Sequence, residues 1–178
     1  RNSGAFLHVK VNNVVMRGVN DHEVNAFAKW ALENGFELRF IEYMPTKSSN
    51  GYSGKFISEA DIRAKIDLDL APDICNSVSA GPARMFKVNG YPGRIGFISA
   101  LSQKFCESCN RLRLTADGRL IGCLFRDNSV DLISMLRSGM NLDDIADFVR
   151  DLVSKPEFKD EADFTESGFR PEMKTIGG

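Results

Sequence analysis

Apolar and polar positions along the chain repeat with two different periods. Residues 6–16 carry Val9, Val11, Val14 and Val15. β-Branched side chains favour strands, so the segment reads as a first strand. Lys10 and Asn12 interrupt it two residues apart, which places both on one side. Further on, Val24, Phe27, Ala28 and Ala31 recur at helical spacing and predict one buried helix face. Asn20 is expected to cap this helix, with Glu23 completing a capping box and Gly35 supplying the stop. Trp30 is expected at the edge of the buried face, and His22 on the solvated surface. Residues 37–44, ELRFIEYM, read as a second strand that Pro45 ends. The order strand, helix, strand fits a parallel βαβ unit. Arg39 is a cation in this half-apolar strand, and an ion pair with Glu37 or Glu42 is expected.

A polar loop, 46–54, comes next, and the sequence leaves open whether it is a lid or a plain connection. Ser58 is expected to cap a short helix through Ile66, with Ile62 and Ile66 on one face. Residues 67–82 show no period. Residues 83–88 and 94–100 read as strands around Asn89-Gly90 and Pro92-Gly93. They are expected to form, with a later hairpin, an antiparallel layer distinct from the βαβ piece. Residues 130–137 read as a short helix stopped by Gly139. Asn141 is expected to cap a longer helix with the stripe Leu142, Ile145, Phe148, Val149, Leu152 and Val153. Residues 164–178 have no period.

Composition narrows the function classes. At 178 residues the chain can bury a core in one domain or somewhat more. Its 23 basic and 24 acidic residues give a net charge of −1, so no nucleic-acid footprint shows. No apolar run is long enough to span a membrane, and no secretory signal is expected. The four cysteines do not suggest a disulfide scaffold, and a reducing, cytoplasmic setting is expected. The chain begins with Arg1 and reads as the continuation of a longer polypeptide.

Three of the cysteines, Cys106, Cys109 and Cys123, lie in FCESCNRLRLTADGRLIGCL, residues 105–124. A C-x-x-C step lets two thiolates from one turn reach one metal centre. The third must return from elsewhere. Residues 111–115 alternate, Ala116-Asp117-Gly118 signals a turn, and 119–124 read as the returning strand. A two-residue loop would set Cys123 opposite Leu112. A three-residue loop with Gly118 left-handed sets it opposite Arg111. The second register is expected, because it gathers three sulfurs with the guanidinium groups of Arg111 and Arg113. A one-residue slip would part them. Spacing alone leaves three outcomes open: a four-iron cluster with one open iron, a zinc site completed by Cys75, or a cysteine pair without metal.

This string, with its C-x-x-C-N-R-x-R-x-T run and the cysteine spacing, resembles the C-terminal motif of the molybdenum cofactor biosynthesis protein A family. These are the GTP 3',8-cyclases of the radical S-adenosylmethionine enzymes. The resemblance continues through VKVNNVVMRGVND, RFIEYMP, RIGFIS and the final Gly-Gly. It implies an α/β fold: the C-terminal part of an incomplete (β/α) barrel over residues 1–66, then an α+β Fe-S cluster and GTP-binding domain over 67–178 with an antiparallel hairpin layer.

The resemblance also implies chemistry. Cys106, Cys109 and Cys123 would hold a [4Fe-4S] cluster whose open iron binds the guanine, and Cys75 would not be a ligand. Lys10, Arg39, Arg111, Leu112 and Arg113 would contact GTP. Asn12 and Met44 would lie at S-adenosylmethionine, and Gly177 and Gly178 would enter the active site. A second [4Fe-4S] cluster belongs to an N-terminal radical SAM half whose C-x-x-x-C-x-x-C motif this sequence does not contain. That half generates a 5'-deoxyadenosyl radical, which takes hydrogen from the ribose 3' carbon. The ribose carbon then attacks C8 of guanine and gives (8S)-3',8-cyclo-7,8-dihydroguanosine 5'-triphosphate. A cyclic pyranopterin monophosphate synthase acts next, and a homodimer is admitted. The chain alone is expected to be inactive. A metal-stabilised, non-catalytic binding domain is the alternative.

Overall fold

The computed structural model describes residues 8–44, 54–73, 81–106, 109, 111–123, 129–155 and 158. They fall into two compact units that divide between Phe105 and Cys106. The expectations for residues 46–53, Cys75 and the tail with Gly177 and Gly178 lie outside the described residues.

The first unit is built on a five-stranded sheet. Its elements in chain order are β1 (Lys10–Val15), α1 (Val24–Glu33), β2 (Glu37–Glu42), α2 (Glu59–Ala64), β3 (Ala71–Pro72), β4 (Arg84–Lys87) and β5 (Arg94–Ile98). The strand order is β1-β2-β5-β4-β3. β1 and β2 are parallel, as the βαβ pattern predicts, with Asn12 beside Arg39. β5 then pairs β2 in parallel, and β4 returns antiparallel to β5. This corrects one expectation. The strands at 84–87 and 94–98 form no separate antiparallel layer, because β5 continues the sheet that β1 and β2 begin. Ala71–Pro72 is a short edge strand in a segment read as irregular.

Alternation explains the sheet's two faces. Leu38 and Phe40 on β2, Ile95 and Phe97 on β5 and Phe86 on β4 are buried with Val24, Ala28, Ala31 and Leu32 of α1. Phe97 stacks on Phe40 at 6.0 Å and meets Phe86 edge-on at 5.5 Å. Arg63 of α2 lies over the Phe86 ring at 4.4 Å, a cation–π contact at the rim of this core.

Helix α1 has the buried stripe that its period predicts, but not the predicted cap. Its N-cap is Glu23, without a side-chain hydrogen bond. Asn20 is engaged elsewhere: its Oδ1 accepts from the Met16 amide at 2.8 Å and its Nδ2 donates to the Val14 carbonyl at 2.9 Å. The Asn20 side chain is thus engaged at the end of β1 and does not cap the helix. The C-terminal stop is as expected. Gly35 is left-handed at φ 67°, and Phe36 N–H donates to Ala31 while Gly35 N–H donates to Leu32. These two bonds make a Schellman motif, and the Trp30–Phe36 ring contact at 5.1 Å is its apolar companion. Trp30 is accordingly exposed along one edge, stacked on Phe27 at 5.6 Å. Helix α2 starts as predicted, with Ser58 Oγ accepting from the Asp61 amide.

The second unit contains β6 (Arg113–Leu114), β7 (Arg119–Ile121), β8 (Ser129–Asp131), α3 (Leu132–Arg137) and α4 (Leu142–Ser154). The strands form one antiparallel sheet in the order β6-β7-β8. The sequence pattern predicts a helix from residue 130, yet this residue lies in β8. The helix begins two residues later, because Asp131 caps it by accepting from the Ser134 amide at 3.0 Å. Asn141 caps α4 as predicted, with its Oδ1 accepting from Asp144 N–H at 2.9 Å. The α4 stripe from Ile145 to Val153 is half-buried, while Leu142 is 71% exposed. No helix among the described residues is long and apolar enough to cross a membrane.

Candidate functional site

The hairpin decides where the third cysteine goes. Arg113 pairs Ile121 and Leu114 pairs Leu120. The turn is Ala116-Asp117-Gly118, with Gly118 left-handed at φ 79° and Gly118 N–H donating to Thr115 at 3.0 Å. This is the expected three-residue loop. Continued by two residues, the same register sets Cys123 opposite Arg111. The turn is also packed from outside: a Cβ on Gly118 would stand 2.6 Å from Cβ of Ile133 in α3.

The C-x-x-C step closes a turn, in which Cys109 N–H donates to the Cys106 carbonyl at 3.1 Å. Cys106, Cys109 and Cys123 are each half-buried. Arg113 reports their neighbourhood electrostatically. Partial burial pulls its guanidinium below the usual arginine range, and the charge of Arg111 adds to this. Cys109 and Cys123 act on it in the opposite sense. Two sulfurs and two guanidinium groups therefore share one neighbourhood, although Cys109 and Cys123 are distant in sequence. Leu112, between the arginines, is 40% exposed.

Among the described residues, no three His, Cys, Asp or Glu side chains stand close enough to share a single metal ion. A four-iron cube makes a different demand. Each of three thiolates binds a different iron, so the sulfurs stand further apart than around one ion. Three half-buried cysteines, two of them within electrostatic reach of Arg113, are chemically suited to ligate iron.

The first unit gathers a second set on the sheet face opposite its core. Across one row the register sets Lys10, Glu37 and Arg94 side by side; across the next it sets Asn12, Arg39 and Gly96. Lys10 and Asn12 are exposed. Arg39 pairs with Glu37, the first of its two expected partners, through Nε at 2.7 Å and Nη2 at 2.5 Å to the same oxygen. Glu42 could not be that partner, since it lies an odd number of residues away and faces the core. Gly96 leaves room for Arg39: a Cβ there would come within 3.3 Å of Arg39 Cγ and 2.8 Å of Met85 Sδ. Met44 is half-buried just beyond the end of β2.

Glu42 was not anticipated in its own right. It is 1% exposed, and its carboxylate accepts from the amides of Glu59, Leu101 and Ser102 at 2.9 to 3.0 Å. The signal was present, as an acidic residue at a position whose parity matches Leu38 and Phe40. The strand-interior Gly96 gave a similar hint of a close approach.

A family model for Molybdenum Cofactor Synthesis C matches residues 36–160. The chain belongs to this family. The GTP 3',8-cyclase of Thermodesulfovibrio yellowstonii is 40% identical over 172 residues, covering 96% of this chain and 52% of that protein. The GTP 3',8-cyclase of Nostoc sp. is 37% identical over 178 residues, covering 97% of this chain and 54% of that protein. That of Alkaliphilus metalliredigens is 40% identical over 130 residues, or 72% of this chain and 40% of that protein. The chain thus spans about half the length of the curated relatives it matches. Both sets of candidate residues, on the sheet face and on the hairpin, lie in the part shared with the first two.

Proposed function

We propose that this chain supplies the substrate-binding part of a GTP 3',8-cyclase in molybdenum cofactor biosynthesis. The observation that carries the reading is the shared neighbourhood of Arg111, Arg113, Cys109 and Cys123, set by the hairpin register. With Cys106, the two thiolates would hold a [4Fe-4S] cluster, whose open iron would supply a binding position for the guanine.

The chain's own residues do the remaining work. Arg111 and Arg113 offer planar, two-pronged donors for phosphate or for the base. Backbone at Leu112 lies between them. Lys10 and Arg39 offer further cations on the sheet face of the first unit, in keeping with GTP contacts. Asn12, in the same row as Arg39, and Met44, beyond the end of β2, are assigned to S-adenosylmethionine. This reading takes residues 1–66 as the C-terminal part of a partial barrel, in which Met44 follows the C-terminal end of β2, the end where barrel active sites lie. Gly177 and Gly178 complete the proposed set.

Radical generation needs the N-terminal half found in the full-length relatives, so this chain alone is expected not to turn over GTP. The test is anaerobic iron and sulfide reconstitution, followed by EPR with and without GTP. A four-iron signal that changes on adding GTP supports the reading. Binding of zinc alone, or a cluster indifferent to GTP, overturns it.

A further inference from the structure

We infer that Glu37 is a positioning residue: its carboxylate fixes the guanidinium of Arg39 on the sheet face where that cation would meet a phosphate-bearing ligand. The inference rests on the proposed GTP contact of Arg39.

Both Nε and Nη2 of Arg39 converge on one oxygen of Glu37. Nε donates a charge-assisted hydrogen bond and Nη2 stands at ion-pair distance from the same atom, which holds the head of the side chain in place. The side chains are 11% and 15% exposed, so the pair is well shielded from water. Residues two apart on a strand share a face, which makes Glu37 the natural holder of Arg39. Gly96 borders the Arg39 stem on the neighbouring strand, and Met85 Sδ lies beside the same glycine. The stem of Arg39 therefore passes beside Gly96, and its guanidinium end is held by Glu37.

A carboxylate in this place needs an explanation. It stands between Lys10 and Arg94 in the register, on a face proposed to receive a polyanion. Two roles account for it, and they predict opposite signs. As a mere counter-charge, Glu37 repels the anion, and its removal tightens binding. As a positioning residue, it holds a long, rotamer-rich side chain in place, and its removal makes the ligand order that side chain at its own cost. The convergence of both donors on one oxygen, at low exposure, favours the second role.

The test compares the wild-type chain with Glu37→Gln and Glu37→Ala, each checked by circular dichroism for an unchanged fold. The first readout needs no ligand. The ¹⁵N-detected Nε–H signal of Arg39 should be sharp and slow to exchange in the wild type, weaker in Glu37→Gln and lost in Glu37→Ala. The second readout is the affinity for GTP and for inorganic tripolyphosphate by calorimetry. It should fall roughly three- to tenfold in Glu37→Ala, with Glu37→Gln between the two. Affinity that is unchanged or rises in both variants overturns the inference, as does an Arg39 signal that survives Glu37→Ala. If the wild type binds neither probe, the GTP reading of Arg39 fails. The Nε–H comparison then still decides whether Glu37 holds the guanidinium.

Discussion

The carboxylate of Glu42 accepts from both the backbone amide and the hydroxyl of Ser102, sixty residues along the chain. The amides of Leu101 and Glu59 complete its shell. A buried anion is tolerated only when its lone pairs are met in this way. The result ties the end of β2 to the start of α2 and to the segment after β5. Glu42→Ala should therefore lower stability by about 2–4 kcal/mol, since several amides lose their acceptor at once. Glu42→Gln should cost less, because one oxygen is retained. Urea denaturation with an unchanged slope and a lowered midpoint is the measurement.

Gly118 carries two constraints at one position. It is left-handed at φ 79°, and its missing Cβ makes room for Ile133. Its carbonyl also accepts from the Leu132 amide at 3.0 Å. Gly118→Ala should destabilise the second unit by about 2–4 kcal/mol, combining backbone strain with overpacking. A specific consequence follows for the site. The hairpin register that sets Cys123 opposite Arg111 depends on this turn, so reconstituted iron should fall with stability. Iron retained at the wild-type level in a destabilised Gly118→Ala chain would separate turn from cluster.

These two residues mark what the sequence made legible. The Asp-Gly turn is a local signal that narrows the register around Cys123 to two, and the gathering of three sulfurs with two guanidinium groups chooses the one the hairpin adopts. The α1 stripe, the Gly35 stop and the Ser58 and Asn141 caps are local as well. Asn20 misled because its side chain had two outlets, a helix amide or the end of β1, and only the fold chose between them. The parallel pairing of β5 with β2 was hidden for a similar reason. Strands 84–87 and 94–98 look like an isolated hairpin until a third strand claims one edge. Residue 130 went to β8 because β7 offered an edge that propensity cannot see. The partner of Arg39 was narrowed to two glutamates by composition, and alternation then selected Glu37.

Asp131 gives a pH-dependent helix start. Its carboxylate accepts from the amide and the hydroxyl of Ser134, and these bonds hold its pKa below the ordinary 3.8. A carboxyl depressed in the folded state contributes stability above its unfolded value, and that contribution is lost as the pH falls through the folded value. The α3 start should hold from neutral pH down to about pH 4 and loosen only in stronger acid. The Ser134 amide resonance should titrate in that acid window, and Asp131→Asn should abolish the titration while keeping a cap. A Ser134 amide that titrates unchanged in Asp131→Asn would refute the assignment.

On the proposed reading, Arg113 should separate metal binding from ligand binding. Its guanidinium lies within electrostatic reach of Cys109 and Cys123, yet it offers no metal ligand of its own. Removing it should therefore leave the cluster and weaken what binds beside it. Serine at Cys106, Cys109 or Cys123 should each sharply lower iron content after anaerobic reconstitution, and Cys75→Ser should leave it unchanged. Arg113→Ala should retain iron but bind GTP roughly ten- to a hundredfold more weakly, the scale of one lost charge-assisted contact. Arg113→Lys should restore only part of the affinity, because a point charge cannot reproduce the two-pronged fork. Calorimetry with GTP, beside iron analysis on the same preparations, measures both. If Arg113→Ala lost iron and GTP together, the arginine would be acting through the fold of the hairpin and not through the ligand.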